Sequence, residues 1–319
     1  MSSWDSESAD SLLDEVRRAL ASYDAAANPG ERRHCVAAMV RNLTRLWAEL
    51  NPALVDEAWY AVSYMVESHW SDLVAQHEWA VAGGGADGWS NPWRNFQPGE
   101  DGSMVHPADA RFVAIYQGEI GSKDPRHELV VGAWPEPWVG PVLSAPVLVL
   151  GANPGWAEGS DVEVHNRYSD LFRTNLTGAE PNIWLRAELE DSPGGRWYRN
   201  SLLKDVLGRA GGVRLDNVAS RLAYVDLHGY HSRSWHAFKV TVPTQQATFE
   251  LVRRRLIDER VVVIISRCGA EWRSSVPELA DHPHVYAMRS TQQVRLSPGN
   301  LPSEGWAALV AALLGTESD

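Results

Sequence analysis

Between residues 141 and 314, short runs of branched apolar residues alternate with longer amphipathic stretches. This alternation restricts the chain more than any other feature. The run Val147-Leu148-Val149-Leu150 carries no polar residue on either face, so it must be buried on both sides, as in a parallel sheet. The same reading marks strands at 146–151, 223–227, 261–266 and 284–288. Helical stretches lie between them, at 183–189 with 198–209, at 245–259 and at 271–279, and a helix over 303–314 closes the series. Strands and helices in this order predict an α/β fold, a central four-stranded parallel sheet with helices on both faces.

Three regions follow from the composition. Residues 1–82 read as an acidic helical region, with helices at 10–27 and 31–50 and a third starting at Asn51-Pro52, where a first turn tolerates proline. Residues 83–140 form a long Gly/Pro-rich connection, with Trp89, Trp93 and a short strand expected at 111–116. Residues 141–319 form the α/β domain. With 44% hydrophobic and 22% charged residues, the chain is neither disordered nor fibrous. The start Met1-Ser2-Ser3-Trp4-Asp5 lacks the basic and apolar segments of a signal peptide, and no apolar run is long enough to span a bilayer. A cytoplasmic protein without a membrane partner is expected. Its oligomeric state is not legible.

The net charge of −12 argues against a nucleic-acid partner, but the acidity sits in residues 1–129 and in the last four. Residues 130–315 are neutral and favour Arg over Lys, so this part can present a basic face. Two cysteines, Cys35 and Cys268, are too few for an iron–sulfur cluster or a Cys-based zinc site. No cofactor is expected.

The first strand runs into Gly151-Ala152-Asn153-Pro154-Gly155-Trp156. Ligands in open parallel sheets bind at the carboxyl ends of strands. Pro154 fixes the turn, and Gly151 and Gly155 allow close backbone approach. Asn153 then stands at the mouth of the sheet with an amide that can orient a water or a ligand. On its own the same stretch also reads as a plain turn.

This turn resembles the first motif of the uracil-DNA glycosylase superfamily in its Gly-x-Asn-Pro-Gly form. That form belongs to the mismatch-specific uracil and thymine glycosylases and related bacterial anti-phage glycosylases. The approach through Pro137, Gly140 and Pro141 is also similar. The resemblance implies that Asn153 positions the water attacking the sugar C1′, with Gly151, Ala152, Pro154, Gly155 and Trp156 around the base pocket. The family's second motif has its counterpart in Arg295-Leu296-Ser297-Pro298-Gly299-Asn300, where Arg295 stands in place of the usual His or Asn. Arg295 is then a candidate for stabilising the leaving base or touching a phosphate, and Ser297, Pro298, Gly299 and Asn300 for the DNA phosphate contact. The end of the second strand offers Asp226, His228 and Tyr230 to read the base edge. His228, His231 and His236 fit no standard ligand spacing, so no metal is expected.

The implied activity is that of a monofunctional DNA glycosylase. It would flip a uracil- or thymine-like base, or a modified pyrimidine such as glucosylated hydroxymethylcytosine of phage DNA, and leave an abasic site. DNA, double- or single-stranded, would be the partner, and repair or antiviral defence the setting. The alternative is a non-catalytic nucleic-acid or nucleotide-binding module on the same fold.

Overall fold

The computed structural model describes Arg18, Trp89 and residues 91–315 apart from 158 and 210–212. The helices expected over 10–81 lie outside the described residues. The chain divides into two units, Met1–Gly88 and Trp89–Asp319, and the second carries the sheet.

Five strands form that sheet: β1 (Trp138–Val139), β2 (Val147–Leu150), β3 (Leu222–Val225), β4 (Val262–Ile265) and β5 (Val285–Ala287). Their order is β1-β3-β2-β4-β5. β2 pairs in parallel with β3 and with β4, and β4 pairs in parallel with β5. β1 runs antiparallel to β3, with Trp138 opposite Val225 and Val139 opposite Tyr224. The sheet is therefore mixed and five-stranded, which corrects the expected all-parallel sheet of four. The extra edge strand is two residues long, too short for any periodicity to show.

All four residues of β2 are fully buried, as their unbroken apolar character requires. After β2 the chain crosses to β3 on one side and then to β4 on the other. The strand order thus reverses at β2, and a crevice opens at its carboxyl end.

Helices α1 (Ala110–Tyr116), α2 (Ser160–Arg167), α3 (Ser169–Asn175), α4 (Pro193–Trp197), α5 (Lys204–Leu207), α6 (Leu215–Arg221), α7 (Pro243–Arg255), α8 (Gly269–Ser275) and α9 (Ser303–Leu314) complete the described elements with several short 3-10 and π turns. α9 has the expected bounds. The strand expected at 111–116 is instead helix α1. Its buried residues Phe112, Val113 and Tyr116 share one helical face, whereas a strand would place the neighbours Phe112 and Val113 on opposite faces. The stretch 183–189 is two 3-10 turns, Ile183–Leu185 and Ala187–Leu189. Asn182 caps the first turn by accepting the Trp184 N–H at 3.1 Å through its side chain, and Arg186, extended with ψ 149°, separates the two.

Residues 91–140 pack into the core. Trp93, Phe96, Val113, Tyr116 and Leu129 belong to the same apolar cluster as the strands. A buried polar knot ties this segment down. Asp109 Oδ2 accepts from the Tyr230 hydroxyl at 2.7 Å and from the Thr244 hydroxyl, and its Oδ1 accepts the Thr244 N–H at 3.1 Å. Trp138 is held in the same way. Its indole N–H donates to Asn175 O, and the Asn175 amide donates back to Trp138 O at 2.7 Å.

Candidate active site

A cavity of about 600 Å³ lies at the carboxyl ends of β2 and β3. The turn after β2 forms one wall, through Ala152, Asn153, Pro154, Gly155 and Trp156. Backbone bonds lock this turn to its neighbours: Gly151 N–H to Val225 O at 2.7 Å, and Leu227 N–H to Ala152 O at 3.0 Å. The buried Trp272 indole of α8 donates to Gly151 O at 2.7 Å. The two glycines of the motif differ. A Cβ on Gly151 would overlap Asp226 Oδ1 and the Tyr224 ring, so only glycine fits. Gly155 is exposed, and a Cβ there would meet nothing within 4 Å, so no close approach explains it.

Asn153 is half-buried and its amide is oriented. Nδ2 donates to Ser232 Oγ at 2.8 Å and to Pro154 O at 3.0 Å. Pro154 O can only accept, so the nitrogen must face it, and Oδ1 is left as the acceptor for a ligand or water. Ser232 Oγ in turn donates to Ser234 O at 2.9 Å, which sets the hydroxyl's lone pairs toward Asn153.

Three buried carboxyls line the same cavity; Asp161 Oδ2 accepts the Ala157 N–H at 2.5 Å, and the other two each keep one oxygen without a partner. Asp226 follows β3 directly, and its Oδ1 has no hydrogen-bond partner. Burial pushes its pKa well above the usual carboxylate range, the Glu136 charge adds to this, and Arg267 opposes it. Glu136 precedes β1, and its Oε2 accepts from the Trp184 indole at 2.8 Å while Oε1 has no partner. Burial pushes the Glu136 carboxyl up to about 8, with the Trp184 bond acting against the rise and the Asp161 charge with it.

Aromatic rings make up much of the rest. Trp156 lies 5.5 Å from the His165 ring and 5.3 Å from the His231 ring. Trp197 packs edge-on to Tyr224 at 5.7 Å, and the Tyr224 hydroxyl pairs with Ser266 Oγ at 3.0 Å. His165 and His231 also line the cavity, and with Glu136 they form a buried group whose ligand atoms all lie within 4.8 Å of one another. This is the set that could hold a metal ion. Arg267 lines the cavity from the turn after β4, where Cys268 adopts a left-handed conformation with φ 52° at the start of α8.

The structure separates the other candidates from this cavity. His228 is buried elsewhere, its ring stacked on Trp235 at 5.3 Å and its Nδ1 accepting the Tyr230 N–H. The Tyr230 hydroxyl is committed to Asp109. Arg295 is half-exposed, 3.5 Å from Asp205, and does not line the cavity. Asn300 holds its own loop together: Nδ2 donates to the carbonyls of Ser290, Gln293 and Arg295, and Oδ1 accepts the Ser290 N–H at 2.7 Å. Ser297 Oγ accepts the Asn300 N–H at 3.2 Å, while Pro298 and Gly299 are exposed.

Glu136 and His165 were not singled out by sequence reasoning. An acid between two prolines in an otherwise apolar stretch, Trp134-Pro135-Glu136-Pro137-Trp138, was the available signal for the first. A histidine inside a polar helix offered none. Comparison with protein-family models, with curated proteins and with solved structures gives no match.

Proposed function

We propose that the protein is a monofunctional DNA glycosylase acting on a flipped pyrimidine. The observation that carries this reading is the fixed Asn153 amide at the mouth of a cavity placed where the strand order reverses. Asn153 Oδ1 holds a water against C1′ of the extruded nucleotide. The C1′–N bond breaks with its electron pair going to the base, the water oxygen bonds to C1′, and the proton that water gives up passes through solvent to the departed base. Asn is a poor base at neutral pH, so positioning and stabilisation of the departing base supply the acceleration.

The Asp226 carboxyl, which lines the cavity, meets the edge of the base, and Trp156 offers a face for stacking. Arg267 supplies the positive charge at the rim that Arg295 was expected to supply. A cavity of about 600 Å³ exceeds what an unsubstituted pyrimidine fills. It leaves room for a base enlarged at its edge, such as a glycosylated hydroxymethylcytosine. The position of Arg295 away from the cavity also favours a second reading, a module that binds an extruded base without cleaving it.

Incubation with DNAs carrying uracil, mismatched thymine, hydroxymethylcytosine or its glucosylated form separates the two. Alkali-labile breaks in one substrate, abolished in Asn153→Ala, support the glycosylase. Tight binding of one substrate without breaks supports the module.

A further inference from the structure

Three buried side chains meet at one wall of the cavity. They come from distant parts of the chain: Glu136 from before β1, His165 from α2 and His231 from the loop after β3. Glu136 Oε1 lies 3.5 Å from His165 Nε2 and 3.4 Å from His231 Nε2. These separations are long for charge-assisted hydrogen bonds, which close to about 2.7–2.9 Å. These two separations match edges of a coordination tetrahedron, in which metal–ligand bonds of about 2.0–2.1 Å set neighbouring ligands about 3.3–3.4 Å apart, and the two histidine ligand atoms lie within 4.8 Å of each other.

The bonds around Glu136 and His231 have the pattern that orients ligands, while His165 Nδ1 is buried without a partner and its ring is held by stacking on Phe172 at 3.9 Å. Glu136 Oε2 is held by the Trp184 indole, which leaves Oε1, enclosed and without a hydrogen-bond partner, pointing at the histidines. His231 Nδ1 lies 2.9 Å from Gly155 O. A proton on Nδ1 satisfies that carbonyl and leaves Nε2, 3.4 Å from Glu136 Oε1, as the nitrogen able to ligate, as in many metal-bound histidines. Trp134 O lies 3.0 Å from the same Nε2. His231 Nε2, the Trp134 carbonyl oxygen and Glu136 Oε1 thus converge in a buried place, where a bound cation would satisfy them together.

We propose that Glu136, His165 and His231 bind one divalent transition-metal ion of the zinc class. Two imidazole nitrogens with one carboxylate oxygen favour zinc over calcium or magnesium, which take oxygen ligands at larger coordination number. The ion ties the segment before β1, helix α2 and the loop after β3 together beneath Trp156, whose ring rests on both imidazoles. The inference stands on side-chain geometry and does not depend on the glycosylase reading.

The test uses the full chain, stripped with a chelator and then dialysed against Zn²⁺ or Co²⁺. The expected result is one equivalent per chain, a tetrahedral Co²⁺ visible spectrum, and a raised melting temperature with Zn²⁺. Uptake and spectrum should both be lost in His165→Gln and His231→Gln chains whose far-ultraviolet circular dichroism is unchanged. X-ray absorption of the zinc-loaded wild type gives an independent reading if the variants do not fold. It should show two imidazoles with oxygen and no sulfur. Failure of the folded chain to take up metal would overturn the proposal. Retention of the full equivalent in both variants, or a sulfur ligand, overturns it too. None of these measurements involves DNA, so they separate this inference from the proposed activity.

Discussion

Replacing Gly151 by alanine tests how the turn after β2 is built. The new Cβ would collide with the Tyr224 ring and with Asp226 Oδ1, both of them buried. Neither group is the free end of a flexible chain. Tyr224 sits on β3 and is held by Ser266, and Asp226 follows it directly. Overpacking a filled site costs about 1–3 kcal/mol. Displacing the Tyr224 hydroxyl from Ser266 costs about 1 kcal/mol more. The expected loss is about 2–4 kcal/mol, which for a unit of this size is a fall of roughly 5–15 °C in melting temperature. Gly155→Ala is the control. Nothing lies within 4 Å of its added Cβ, so its stability should stay within about 0.5 kcal/mol of wild type. Urea unfolding of both variants, followed by tryptophan fluorescence, measures the contrast. Equal stability of the two would refute the reasoning that only the first glycine is sterically required.

Other substitutions probe the remaining assignments. Tyr230→Phe removes a donor from buried Asp109 and should cost about 1–3 kcal/mol in urea unfolding without a selective effect on activity. Asn300→Ala leaves several loop carbonyls unpaired and should cost about 2–4 kcal/mol, while DNA affinity of the folded fraction is unchanged. Arg295→Gln breaks a half-exposed contact with Asp205, so stability should move by less than about 1 kcal/mol and kcat should hold. Trp156→Ala removes a stacking face, and on the proposed reaction it should raise KM by roughly 5- to 150-fold, from about 1–3 kcal/mol per stacked base.

The parallel strands were legible because burial on both faces leaves an unbroken apolar run, as in Val147–Leu150 and Val262–Ile265. The position of Asn153 followed from the same strand, since a residue just past a parallel strand lies at the sheet mouth. Residues brought in by long-range folding were not legible. Glu136, His165 and His231 are far apart in the chain and meet only because α2 and the segment before β1 pack over the end of the sheet. Residue identity misled where a polar group was already satisfied inside the fold. His228, Tyr230 and Asn300 have the right chemistry for a site, but each spends its polar atoms on a neighbour. β1 was missed because two residues between Pro137 and Gly140 carry no period. The strand expected at 111–116 is a helix, because its buried positions Phe112, Val113 and Tyr116 follow a helical face.

The central claim is that the Asn153 amide positions the water that cleaves an extruded pyrimidine nucleotide. The most direct measurement is the yield of abasic sites from single- and double-stranded DNAs carrying candidate bases, for wild type, Asn153→Ala and Ser232→Ala. The account predicts release of one base by the wild type and its near-complete loss in Asn153→Ala with DNA binding retained. Ser232→Ala, which frees the amide from its hydroxyl, should fall between them. Cleavage by Asn153→Ala at the wild-type rate would contradict the account.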